Sequence, residues 1–483
     1  MGATPTEAAA ATNGREPSRL RGNLGTMQLF FTVLAFNAPL SIAVGFIPVV
    51  VGVGNGLGAP VAYLVAGALF LTFSVGFTSM SRHLPNPGGF YAYITAGLGR
   101  LVGLGASFLA ILCYYFMLIA SFSYGGLVLT VLVGKTLGGP DIPWWVWVAG
   151  LAVVVSVLGY FKLELSARVL IVALLAEICL VLLYDAVVVF TGGAEGLALD
   201  SFTPPAMFSG SAGVGLLLAM CCYGGFEASI IFREEVRTPD RTIPRTVYMA
   251  VAFVTCLYVF TAWVFVQAYG PGSVVDAAAA DPTGSVLASF EHYLGRLATD
   301  LVTLLLVTST FAAILAGHNI LSRYLYNLSV DRILPKFLSA VHPRHGSPHR
   351  SSAAVTVLNL LGIAPLVIFG ADPTMLYAVL FGIFGYVLIV LLLLTSIAIP
   401  VYFWRNSIRV SRWKSTIAPA VAFVGLLVGT VVATANIDVL IGGTKTLVMG
   451  TFVLVYGSIL AGIGLALLYR QKRPETYARI GRQ

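Results

Sequence analysis

Three carboxylates, Glu177, Asp185 and Glu227, and one imidazole, His318, lie deep in apolar stretches of a 483-residue chain with only 10% charged residues. A charge placed in hydrocarbon costs a few kcal/mol on insertion scales, so each of these groups asks for a role. Buried acids and imidazoles can carry protons, answer a bound cation, or cap a helix end. Glu227 follows the pair Gly224-Gly225 in MCCYGGFEAS, residues 220–229. Adjacent glycines weaken a helix. A carboxylate two residues later suits the start of the half-helix that resumes there, where it answers the dipole. Glu177, in VALLAEICLVLL, is the deepest acid, and two readings stand beside each other. It carries a coupled proton, or it is bonded to the backbone of a neighbouring helix. Asp185 falls near the outer end of the same stretch and is expected to reach water. His318, beside Asn319, is read as a hydrogen-bonded packing residue, with a proton relay as the alternative.

The elements that position these groups are membrane helices. Apolar residues make up 58% of the chain and mean hydropathy is +0.91, which excludes an ordinary soluble domain. A helix needs about 20 apolar residues to cross a hydrocarbon core of roughly 30 Å. Twelve such windows occur, at 27–51, 58–80, 101–133, 143–160, 167–191, 211–233, 246–269, 298–328, 352–370, 374–403, 415–435 and 446–469. They are called helices 1 to 12. Residues 1–26 are small and polar and are expected to be a disordered tail rather than a cleaved signal peptide, whose short apolar core is not seen there, with 470–483 expected as a second tail. An even number of spans puts both tails on one side. Of the 28 Lys and Arg, all but Lys135, Arg296 and Lys445 fall on that side, which the positive-inside rule makes cytoplasmic. The net charge of +8 then needs no nucleic-acid partner. Cys113, Cys179, Cys221, Cys222 and Cys256 all lie within apolar spans as packing residues, with no disulfide framework or metal spacing. Gly134-Lys135-Thr136 lacks the leading glycine of a phosphate-binding loop, since Leu129 stands there.

A membrane helix can release backbone hydrogen bonds only where protein or a water-filled cavity takes them up, so breaks mark cavities. Helix 1 carries Pro39, Gly45 and Pro48, and helix 6 carries the glycine pair. Interruptions five spans apart point to a transporter built from two inverted five-helix repeats, helices 1 to 5 and 6 to 10, with its site at the midplane. A channel would need a continuous polar pore lining, and an intramembrane enzyme a nucleophile with a base or a metal triad; neither pattern occurs.

The stretches SRHLPNPGGFYAYITAGLGR, YGGFEASIIFREEVRTPDRTIPRT and HNILSRYLYNLSVDRILPKFLSAVHPRHGSPHR resemble loops and flanking helices of the amino acid, polyamine and organocation permease superfamily. The resemblance runs from about Leu24 to Leu468 and implies that helices 1 and 6 are unwound at their middles and helices 11 and 12 peripheral. Helix 1 departs from the family's glycine-serine-glycine signature, having Ser41-Ile42-Ala43-Val44-Gly45. Glu177 resembles in position a helix 5 lysine of some members, with the sign reversed. Free N–H groups at a half-helix start suit a carboxylate, and free carbonyls at a half-helix end suit an ammonium. An amino acid carries both. Ser41 to Gly45 and Cys222, Tyr223, Gly224 and Gly225 are therefore expected to grip it through backbone, with Tyr114, Tyr115, Phe381 and Phe384 walling a side-chain pocket. Glu177 and Glu227 are the candidates for proton coupling. Arg323, Asp331, Arg233, Glu234 and Glu235 are expected to pair as an inner gate or to remain solvated loop charges. The expected protein is an all-α, multi-pass permease of the cell membrane that moves an amino acid or close amine with protons. A polyamine transporter and an amino acid exchanger are the alternatives. No enzyme activity, cofactor or metal is expected.

Overall fold

In a computed structural model, residues 23–84, 88–161 and 165–481 are described, with side chains of 165–170 excepted. Twelve helices in these residues are long and apolar enough to cross a membrane. Among the described residues the chain is otherwise loops and short helices, with a single isolated β-bridge between Leu24 and Val236. Most of the expected tail, residues 1–22, lies outside the described residues.

Burial separates a core from a rim. Helices 6 (Ala212–Cys221 continuing through Phe226–Ile230) and 10 (Pro373–Arg405) have 89% and 83% of their apolar windows buried. Helices 4 (Trp144–Phe161), 9 (His349–Ile368), 11 (Ala418–Ala435) and 12 (Lys445–Lys472) have between 22% and 33% buried. Those four present apolar side chains such as Val153, Leu361, Val431 and Leu460 to the outside, as helices do in contact with lipid. Helix 10 packs along helix 3 (Arg100–Val131), and helix 2 (Ala59–His83) along helix 7 (Pro239–Tyr269). Helix 5 (Leu165–Thr191) and helix 8 (Arg296–Val330) pack against each other and flank helix 1.

Helix 1 is broken, though not where its glycines lie. It runs Thr26–Asn37, turns at Ala38, and resumes as Pro39–Gly45. Ala38 adopts the left-handed conformation, φ 50° and ψ 66°. The cause is Pro39: it has no N–H to donate, and its ring disfavours the right-handed helical conformation at the residue before it. Ser41 to Gly45, expected to be unwound, are helical and buried. Helix 6 breaks at its glycine pair as expected, its first half ending at Cys221 and a 3-10 turn starting at Phe226. Gly225 has φ 117°, open to glycine and costly for other residues.

Both ends of the described chain lie on one face. The backbone of Leu24 pairs with Glu235 and Arg237 just after helix 6, at 2.9 and 3.1 Å. At the other end, the Gly481 N–H donates to Asp331, which follows helix 8. On the opposite face the short helix Val274–Ala280 lies against helix 7 and the end of helix 1, and Gly284–Leu294 packs over the end of helix 5. There the Tyr184 ring stacks on Phe290 at 4.2 Å and its hydroxyl meets the Ser289 hydroxyl at 2.7 Å. The expectation that Asp185 reaches water is overturned, for it is fully buried and turned towards Thr261 of helix 7.

Candidate functional site

The two breaks face each other, and one side chain joins them. Asn37, the last helical residue before the turn of helix 1, donates from Nδ2 to the carbonyls of Cys222 (2.7 Å) and Gly224 (3.2 Å). Its Oδ1 accepts from the Tyr258 hydroxyl of helix 7. The carbonyls released by the glycine pair are thus satisfied by an amide, as buried backbone groups must be. On the far side of the break the Gly225 N–H donates to Glu227 Oε2 at 2.8 Å, and the Tyr114 hydroxyl donates to Oε1 at 2.9 Å. Both oxygens of Glu227 are therefore engaged, in the capping position its sequence spacing suggested.

A cavity of about 30 Å³ adjoins the break of helix 1. Asn37, Ser41 and Ile42 of helix 1, Ser121 and Tyr124 of helix 3, Thr310 of helix 8 and Tyr377 and Phe381 of helix 10 line it, with no carboxylate among the lining residues. The Ser41 hydroxyl is buried and has no partner. Such a group is costly to leave unpaired, and here it borders the cavity. Thirty cubic ångströms is the share of one water, so a larger guest requires the helices to part.

The two faces are sealed differently. Towards the face opposite the termini, Tyr124 stacks on Tyr377 and Phe46 lies against Phe381, each at 4.5 Å. Beyond this single aromatic layer is a vestibule of about 350 Å³ that shares Tyr124 and reaches Val44, Lys135, Asp281 and Thr374. Towards the face carrying the termini the barrier is thicker and charged. Arg323 meets Glu235 at 2.7 Å, both buried, and its guanidinium lies 4.5 Å from the centre of the Phe232 ring. Arg233 pairs with Asp240 at 2.7 Å and donates to the Ser81 carbonyl at 2.8 Å. Asp331 accepts from the Tyr91 hydroxyl at 2.7 Å. Of the expected inner pairs, Arg323 with Glu235 is present, while Arg233 and Asp331 take partners that were not anticipated.

Other expectations divide. Phe381 walls the cavity, and the ring of Phe384 lies so close that a Cβ on Gly224 would meet it at 2.8 Å. Tyr114 faces inward but is spent on Glu227. Tyr115 does not reach the site: its hydroxyl donates to the Leu358 carbonyl of helix 9 at 3.0 Å. Neighbours on a helix point about 100° apart, and that turn carries Tyr115 from the inner face to the face packed on helix 9. Of Ser41 to Gly45, Ser41 and Ile42 border the cavity and Val44 the vestibule; Ala43 and Gly45 border neither. Glu177 is buried between helices 5 and 8, outside the cavity, with Oε1 accepting from Thr308 at 3.2 Å and Oε2 unpartnered. Asp185 accepts from Thr261 at 2.8 Å. His318 meets the Ser352 hydroxyl at 2.8 Å, in the manner of a packing residue. All five cysteines are free thiols. Sequence reasoning missed Asn37, Tyr258, Ser121, Tyr124 and Thr310. Asn37 alone carried a signal, being an amide inside an apolar span two residues before a proline.

Twelve spanning helices, two broken at facing points, and a closed central cavity with unequal barriers on its two sides define a membrane transporter. The chain belongs to the amino acid permease family, whose sequence pattern matches residues 24–460. It is 24% identical to the low-affinity putrescine importer PlaP of Escherichia coli strain K12 over 354 residues, covering 71% of this chain and 75% of that one. It is 24% identical to the branched-chain amino acid permease BcaP of Bacillus subtilis strain 168, covering 70% of this chain and 73% of that one. A third relative, cationic amino acid transporter 7 (chloroplastic) of Arabidopsis thaliana, is 25% identical over 64% of this chain and 57% of its own length.

Proposed function

We propose that this permease imports an amino acid or a close amine relative across the cell membrane, with its termini in the cytoplasm and with uptake coupled to protons. The observation that carries the reading is the pair of carbonyls at Cys222 and Gly224, held by the amide of Asn37 beside the unpartnered Ser41 hydroxyl. An amide N–H₂ on two carbonyls occupies the place that suits an ammonium. A substrate amine that displaced it would keep both acceptors satisfied, and a carboxylate would find the Ser41 hydroxyl and the restart of helix 1. The site borders the thin aromatic layer, so loading from the vestibule and release past the Arg323–Glu235 barrier would make a cycle of alternating access.

Glu177 is our candidate for the coupling proton. Glu227 has both oxygens committed to holding helix 6, whereas among the described residues one oxygen of Glu177 has no partner and no cation pairs with it. A carboxyl in that setting can gain and lose a proton without dismantling the broken helix.

A polyamine is the second reading, favoured by the likeness to a putrescine importer. Against it, no carboxylate lines the central cavity to answer a second positive charge. Uptake of amino acids and polyamines into proteoliposomes, with and without an inward proton gradient, tests both. Accumulation of an α-amino acid that the gradient enhances supports the proposal. Uptake confined to diamines refutes the substrate reading, and uptake indifferent to the gradient refutes the coupling.

A further inference from the structure

On the face carrying the termini, away from the transport pathway, lies a cleft of about 550 Å³ between the end of helix 8 and the end of helix 12. Three cations line it, Arg332, Lys336 and Arg473, together with Tyr469, and no acid is among its lining residues. The nearest acid in sequence, Asp331, is turned elsewhere, towards the hydroxyl of Tyr91 and the N–H of Gly481. Both walls are continuations of membrane spans, Arg296–Val330 and Lys445–Lys472, which places the cleft at headgroup depth. Helix 12 has only 22% of its apolar window buried, so lipid reaches that wall directly. Phe337, beside Lys336, is 57% exposed and adds an apolar contact at the same level.

Backbone geometry adds an independent observation. Arg332 has φ 63°, a left-handed conformation that a glycine adopts freely and an arginine only at a cost. The turn is fixed by the N–H groups of Ile333 and Leu334, which both donate to the Leu328 carbonyl at 2.9 and 3.2 Å. The Tyr469 hydroxyl donates to the Ile333 carbonyl at 3.1 Å and ties the loop to helix 12. A strained position that holds a guanidinium, where glycine would relieve the strain, argues that the side chain is used.

We propose that this cleft binds the phosphoryl group of an anionic phospholipid from the adjoining leaflet. Arg332 and Arg473 would take the phosphate oxygens in forked hydrogen bonds and Lys336 would add a point charge. The lipid would then bridge the segment after helix 8 to a peripheral helix, next to the loop that holds Asp331.

The test titrates phosphatidylglycerol into the purified full-length protein in phosphatidylcholine-containing micelles, with retained lipid read by native mass spectrometry and stability by thermal unfolding. Each basic side chain near an anionic surface contributes about fivefold in affinity, so replacing Arg332, Lys336 and Arg473 together by Gln should weaken binding about a hundredfold. The charge-retaining set Arg332→Lys, Lys336→Arg and Arg473→Lys should keep affinity to within several-fold. Arg332→Gly separates the two roles: it should raise the melting temperature in phosphatidylcholine alone yet weaken phosphatidylglycerol binding about fivefold. Unchanged affinity in the Gln triple variant, or equal loss in the charge-retaining set, overturns the site. Saturable stabilisation by inorganic phosphate alone, absent from the Gln variant, would assign the cleft to a soluble phosphate compound and overturn the lipid as its occupant.

Discussion

Replacing Asn37 by Ala should make the protein less stable and its grip on substrate tighter. The amide makes three buried hydrogen bonds, to the Cys222 carbonyl, the Gly224 carbonyl and the Tyr258 hydroxyl. Leaving a buried polar group unpaired costs about 1–3 kcal/mol. With some relief from water entering the space vacated, a net loss of about 2–4 kcal/mol is expected. Binding responds in the opposite direction if a substrate amine must evict the amide from those carbonyls. In the variant it meets free acceptors, and the two neutral bonds no longer sacrificed are together worth about 2 kcal/mol, near thirtyfold in affinity. The assay is thermal unfolding of purified protein across a substrate titration, with radioligand binding as the direct measure. The melting point without substrate should fall, and the rise at saturation should exceed that of the parent. An Asn37→Ala protein that is destabilised and also binds more weakly would refute the displacement argument and make Asn37 a direct ligand. One with unchanged stability would refute the assigned hydrogen bonds.

Gly225→Ala should abolish stabilisation by substrate and cost about 1–2 kcal/mol, because φ is 117° and a Cβ would meet the Phe36 ring at 2.6 Å; thermal unfolding with and without substrate reads both effects. Glu177→Gln should retain exchange of substrate down its own gradient and lose accumulation driven by pH; a variant that still concentrates substrate in response to a proton gradient removes Glu177 from coupling. Asp331 lies just beyond helix 8, and burial pushes its carboxyl up to about 6 from an ordinary value of 3.8, against smaller opposing effects of Tyr91, the Gly481 N–H and Arg479. Because the folded state holds this proton more tightly than the unfolded chain, its contribution is fully present below about pH 4 and is lost as pH rises through about 6. Its size is about 3 kcal/mol at most, and Asp331→Asn should flatten the pH dependence of thermal stability across that window.

The parts of the fold legible in the sequence are those set by solvation. Twelve apolar runs and a glycine pair with a carboxylate beyond it follow from what hydrocarbon forbids, and each has its counterpart in the structure. The break in helix 1 was misplaced because it was laid over Ser41 to Gly45, where the family's glycine-serine-glycine signature falls, although Pro39 stood in the same span. A proline that withholds an N–H and constrains its predecessor decides the turn more firmly than residues that merely permit one. Tyr115 was misread because a pair of adjacent aromatics says nothing about which of the two faces inward. Asp185 looked free to reach water because position along a span gives depth but not cover, and its side chain is turned onto helix 7, where Thr261 meets it. Asn37 was visible and passed over, since its partners are carbonyls more than 180 residues away that no local pattern connects to it.

The bridge between Leu24 and the segment after helix 6 is made by backbone atoms alone, through Leu24 to Glu235 and Arg237 to Leu24. Such a seam is indifferent to side-chain identity but not to chain length. Residues 23–25 should accept many substitutions, provided position 24 keeps an apolar side chain to lie against the core, while a one-residue deletion there slips the seam and drags helix 1 by its own rise of about 1.5 Å. In natural variation, the segment should therefore drift in composition while remaining fixed in spacing, a kind of constraint that a tally of identical residues would overlook.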